Sequence, residues 1–147
     1  MPKLLIFAPC DKVIIGVGDN NASLIDILQN INIGMAAGKP IPENAMAAMR
    51  WAVFAMWLKE PEDEGKSYKQ RVQLLSPSGK VLTEVITEFQ LKKAVHRVAN
   101  GLQGFPIGEV GEHSLKLCLW EGKKEPEWRE IAMFPVTVTH RSPHPQS

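Results

Sequence analysis

Apolar and polar residues alternate along most of this chain, and a period of two is the mark of a half-buried β-strand. In Glu112–Trp120, Leu115, Leu117 and Leu119 alternate with Ser114, Lys116 and Cys118. In Tyr68–Leu75, Val72 and Leu74 alternate with Arg71 and Gln73, and Val81–Phe89 puts Val81, Val85 and Phe89 on one side. Ser23–Ile33 reads as one strand, with Ile25, Ile27, Ile31 and Ile33 on one face and Asp26, Asn30 and Asn32 on the other. Trp128–Thr139 places Phe134, Val136 and Val138 in phase. Pro135 interrupts that run, and a residue that cannot donate to a ladder predicts an edge strand or a bulge there.

Turn-forming residues separate these segments. They include Gly16 to Asn21, Gly38 to Pro42, Pro61 to Gly65, Asn100-Gly101, Gly108 to Gly111 and Glu121-Gly122. Short strands at such spacing predict an all-β chain. Ser76-Pro-Ser-Gly79 has Pro at the second turn position and Gly at the fourth, which predicts a hairpin. The expected architecture is a single antiparallel two-sheet β-sandwich, Ig-like or C2-like, of about seven to nine strands. It covers residues 1–140, followed by a flexible tail at 141–147 that contains two prolines.

Ala45–Leu58 is the ambiguous segment. Its alanines, methionines and leucine are good helix formers, and Met46, Met49, Val53 and Trp57 fall near helical spacing. Both faces are apolar from Trp51 to Leu58, however, and every neighbour reads as strand, so a strand is expected. One face then packs the core. The other, carrying Trp51, Val53 and Trp57, needs a cover from this chain or from another copy.

Composition narrows the function classes. The 17 basic and 16 acidic residues nearly cancel, and a nucleic-acid or anionic-membrane binder needs a clustered basic field. Neither nucleic acid nor a membrane is therefore expected as a partner. Cys10 and Cys118 lie far apart without metal-ligand spacing, so buried free thiols are expected. Leu4 to Ala8 is too short for a signal-peptide apolar region, and no apolar run approaches a membrane span. A cytoplasmic location follows by default.

A search for chemistry returns little. His96, His113, His140 and His144 form no metal-type pair, and the start of a strand suggests a solvated His113. Cys118 and His113 are five apart, which puts them on opposite faces of a strand. There is no Gly-x-Ser-x-Gly elbow, and neither Gly16-Val-Gly18 nor Gly34–Lys39 has the spacing of a phosphate loop. Glu84 and Glu88 share a solvent-type face with Ile86. No catalytic residue, cofactor or metal is expected. Four tryptophans, Trp51, Trp57, Trp120 and Trp128, fit core and cross-strand packing, a partner surface, or a stacking platform.

Five stretches carry a family resemblance: Leu4 to Val13, Ser23 to Leu28 after a glycine-rich turn, Val72 to Lys80, Leu102 to Ile107, and Gly111 to Leu117. Their order and spacing resemble a family of small bacterial proteins of unknown function, the DUF6941 type, over roughly residues 3–138. The resemblance implies a β-sandwich and supplies no catalytic residues. Together these readings point to a non-enzymatic protein-interaction or self-assembly module, with another protein or a second copy as partner. The candidate interface is Trp51, Val53 and Trp57. The alternative is a binder of a small ligand or carbohydrate with tryptophans in its pocket, and behind it an enzyme whose site is assembled from dispersed residues.

Overall fold

The alternating runs become strands, and the apolar Ala45–Leu58 segment becomes one too. In the computed structural model, which describes residues 1–122 and 127–142, the strands are β1 (Lys3–Ile15), β2 (Ala22–Ile27), β3 (Asn30–Gly34), β4 (Met46–Leu58), β5 (Ser67–Leu75), β6 (Val81–Gln90), β7 (Val95–Pro106), β8 (Gly111–Trp120) and β9 (Arg129–Arg141). A 3-10 turn at Pro61–Asp63 is the only helical element among the described residues. No helix there is long and apolar enough to cross a membrane. Of the expected tail, Arg141 closes β9, and residues 143–147 with His144 lie outside the described residues.

The strands form two sheets. One has four strands in the order β2-β1-β4-β7, and the other has five in the order β3-β9-β8-β5-β6, curled into half a barrel. The all-β class and the strand count match expectation. The antiparallel expectation needs one correction, because β3 runs parallel to β9, from Asn30 opposite Thr137 to Gly34 opposite Arg141. Asp26, at φ 52°, kinks the end of β2 in the left-handed region, which aspartate tolerates better than most residues, while Ile27 still pairs with Cys10 and the Leu28 N–H donates to the Pro9 carbonyl. The chain then crosses to the other sheet. Ser23–Ile33 is thus two strands in two sheets. Ile31 is buried, whereas Ile25 and Ile27 are exposed, so the four isoleucines do not share a face.

One core joins the two sheets' inner faces. Leu115, Leu117 and Leu119 from β8 meet Trp51, Val53, Ala55 and Trp57 from β4, and each fully buried large apolar side chain contributes roughly 1.5–3 kcal/mol. Trp51, Val53 and Trp57 are only 2%, 1% and 0% exposed. They are the inner face of β4, not an outer face awaiting a partner, which corrects the expected interface. The physical reason is that β4 pairs on both sides, with β1 and β7, so burial overrides its helical propensity. On its other face Phe54 is also buried, level with Ala8 on β1 and Ala99 on β7, whose small side chains leave it room.

Two further local readings change. A register shift between Leu74 and Leu75 brings Leu82 onto the core and leaves Val81 exposed. Asn100-Gly101 is the middle of β7, not a turn. The Ser76–Gly79 hairpin forms as expected, with the Gly79 N–H donating to the Ser76 carbonyl at 2.9 Å. Pro135 sits where β9 has β8 beside it but not yet β3, whose partners start at Thr137. An absent N–H costs least at such a position.

Candidate functional site

β6 and β7 are consecutive strands that belong to different sheets. At the turn that joins them the seam between the sheets is filled. Phe89 stacks on His96 with centroids 5.0 Å apart, on Trp57 at 6.0 Å, and packs against Tyr68 at 6.0 Å. A buried polar chain follows. Trp57 Nε1 donates to Gln70 Oε1 at 2.9 Å, Gln70 Nε2 to Asn100 Oδ1 at 3.4 Å, and Asn100 Nδ2 to Thr87 Oγ1 at 3.0 Å. Farther along, the two edges part and leave a cleft of about 640 Å³. Its apolar wall includes Trp51, Leu82 and Leu102, and its polar groups include Glu43, Lys80, Glu109 and His113.

Local sequence holds this opening in shape. Gly104 takes φ 79° opposite a register shift in β4 between Ala47 and Arg50, a conformation glycine adopts without penalty. Its carbonyl accepts the Trp51 Nε1–H at 2.9 Å. Gly108 lies so close to the chain at Glu43 that an added Cβ would fall 1.8 Å from the Glu43 carbonyl oxygen. The Ile107 N–H donates to the Ala45 carbonyl at 3.0 Å and fixes the same loop. On the opposite side, the Ser76 and Ser78 hydroxyls are 2.9 Å apart, and Ser78 Oγ donates to Glu109 Oε2 at 3.3 Å. That contact ties the β5–β6 hairpin to the loop before β8.

His113 lies at the buried end of the cleft. It is fully buried, which corrects the expectation of a solvated residue. It faces inward in phase with Leu115 and Leu117, and its ring meets the Phe105 ring edge-on at 5.7 Å. Nδ1 is 3.3 Å from the Gly111 carbonyl oxygen. A carbonyl only accepts, so Nδ1 carries the proton and Nε2 keeps a bare lone pair. Nε2 has no protein partner, and a buried acceptor left unpaired costs about 1–3 kcal/mol. Burial pushes the imidazole below its ordinary value, against upward pulls from the Gly111 carbonyl and the Glu109 charge. It is therefore a neutral acceptor at neutral pH.

The expected site residues separate here. Trp51 lines the cleft, while Val53 and Trp57 belong to the core alone. His96 is half-buried against Phe89, and His140 Nε2 is 2.5 Å from the Ile107 carbonyl oxygen. Cys10 and Cys118 are free and buried. Cys118 points away from the core face that holds His113, as the odd spacing required. Trp120 and Trp128 form a tilted pair at 6.2 Å, with Lys69 Nζ 4.7 Å above one ring and the Arg71 guanidinium 4.6 Å above the other.

Among the described residues no group of three or more His, Cys, Asp or Glu could hold a metal ion. Glu43, Lys80 and Glu109 escaped the sequence reading because they stand in turns, where charge is unremarkable. His113 did carry a signal, its phase with the buried leucines. No protein-family model and no curated protein matches the chain.

Proposed function

We propose that the chain is a non-catalytic binding module that holds a small organic molecule in the cleft between β6 and β7. The observation that carries this reading is a preformed cleft of about 640 Å³ whose wall joins apolar Trp51, Leu82 and Leu102 to a few polar side chains. Ligand sites are commonly 300–1,000 Å³, mostly apolar, with a few convergent polar groups. Two facing sheets with one shared core support a β-sandwich of Ig-like or C2-like outline as its scaffold. The test is a fragment screen followed through tryptophan indole N–H signals. Binders should move the Trp51 signal and leave Trp57 still, although both sit on the same strand face. A screen that moves neither, or only Trp120 and Trp128, removes the reading.

A second reading, self-association, has its own observation. The β1–β2 hairpin exposes Ile14, Ile25 and Ile27 on one face, with Ile15 on the other and Val17 fully open to solvent at the turn. Clustered exposed apolar residues mark interaction surfaces. The partner surface therefore moves from Ala45–Leu58 to this hairpin, with a second copy as occupant. Light scattering should give a dimer that the pair Val17→Asp and Ile25→Lys reduces to monomer. A monomeric parent protein ends this second reading.

A further inference from the structure

We infer that the open edge of β7 accepts an extended, uncharged peptide as an added strand, whose inward side chains occupy the cleft. The inference rests on the cleft being a ligand site and names the ligand's class. Its ground is the state of the sheet edges. β2 and β7 end one sheet, and β3 and β6 end the other. An edge strand leaves the N–H and C=O of every second residue without a strand partner, and proteins blunt such edges with charge, brevity or a bend. β3 has five residues, β2 is kinked at Asp26, and β6 carries the exposed Glu84 and Glu88. β7 is different. From Val98 to Pro106 it has no charged residue, and among the described residues no backbone hydrogen bond beyond the β4 ladder reaches this stretch.

The middle of that stretch has room for a second backbone. Gly101 takes no left-handed conformation, the β4 register runs unbroken through it, and nothing lies within 4 Å of an added Cβ. Neither a turn, a bulge nor crowding calls for glycine there. A glycine inside a strand otherwise marks the close approach of a ligand or another backbone. Only another extended backbone presents donors and acceptors at the spacing of a strand edge, which is how strand addition recognises a peptide. Because Val98–Pro106 carries no charge, an uncharged strand is its match. A strand along Val98–Gln103 covers six residues, about 20 Å. Past Asn100, whose side chain is tied to Thr87 on β6, its inward side chains meet Trp51, Leu82 and Leu102, and the others face solvent. The register shift opposite Gly104 and the missing N–H of Pro106 end the template.

The experiment titrates the full chain with a hexapeptide of alternating threonine and leucine, acetylated and amidated at its ends, and follows amide and indole signals by NMR. Binding is expected to move the Trp51 indole signal and to slow hydrogen exchange at every second amide of Val98–Gln103. The β2 and β3 amides should stay as they were. Two further peptides carry N-methyl groups along one edge of the strand or along the other. Methylation on the edge that faces β7 should weaken binding roughly tenfold, the worth of one or two ladder hydrogen bonds. Methylation on the far edge should leave it unchanged. Equal affinities for the two methylated peptides, or exchange slowed at β2 or β3 in place of β7, overturn strand addition. A hexapeptide that fails to bind while fragments move the Trp51 signal overturns the peptide class and leaves the ligand site standing. A Trp51 signal unmoved by peptide and fragments alike overturns both.

Discussion

Trp51 and Trp57 stand on the same face of the same strand, each nearly fully buried, yet they serve the two ends of the seam differently. Around Trp57 the space is filled by Phe89 stacked at 6.0 Å, and its N–H is received across the core by Gln70 on the other sheet. Around Trp51 the N–H is received within its own sheet, by the Gly104 carbonyl on the adjacent β7, and one flank borders the cleft. The difference comes from β6 and β7. Where their connecting turn holds them together, aromatic rings close the gap between the sheets. Where they diverge, the bulge at Gly104 and the loop over Gly108 keep it open. One end of the core is therefore built for stability and the other retains room.

This contrast can be broken by substitution. The largest effect is expected from Trp57→Ala, which should cost about 3–5 kcal/mol in urea unfolding. Trp51→Ala should cost somewhat less, about 3 kcal/mol, because the adjoining cleft lets its surroundings relax into the space it leaves. Equal losses would dissolve the distinction between the two ends. Gly108→Ala should cost about 1–3 kcal/mol, since the new methyl group collides with backbone at Glu43. Its amide shifts should concentrate at Glu43–Met46. Gly101→Ala, where nothing lies within 4 Å of an added Cβ, serves as the silent control.

Smaller effects sharpen the comparison further. Gln70→Leu should cost about 1–3 kcal/mol by leaving the Trp57 N–H buried without an acceptor. His113→Phe should be neutral or slightly stabilising, because it removes an acceptor that has no protein partner. These opposite signs at two buried polar side chains are the sharpest measure of what each is for. The acid limb offers one more reading. His113 and His96 are both held below their ordinary 6.5 by burial. The unfolded chain thus takes up protons first, and stability is full above pH 6.5 and declines as pH falls through it. His113→Phe should flatten that decline. An unaltered slope would place its origin at His96.

Much of the fold was legible because alternation is a local property. Tyr68–Leu75 and Glu112–Trp120 put the expected residues inward, and the Ser76–Gly79 turn sits where its proline and glycine place it. What local pattern does not carry is which sheet a strand joins. Ile25 and Ile31 read as one face until the chain crosses between sheets at Leu28-Gln29, where bonding passes from Pro9 to Thr137. The same limit explains Trp51, Val53 and Trp57. Their apolar run signals burial, but only the pairing of β4 with both neighbours says that the cover is the chain's own second sheet. The cleft was the least legible part. Its turn residues come from three separate connections, and its histidine has an isolation that depends on what surrounds it in space.

The parallel ladder between β3 and β9 has a consequence for how the protein comes into being. Asn32 and Thr139, hydrogen-bonded through their side chains, are separated by 107 positions. Among these strands β3 is made third and its partner last, so β3 waits through most of synthesis with no neighbour to pair with. Contacts closed over such a length are slow to form, and strand edges left open meanwhile invite association with other chains. Termination before Thr137 would remove every ladder partner of β3 at once, because β3 has no other strand beside it. Thus Asn30–Gly34, encoded early, is held in register only when the final segment of the described fold arrives.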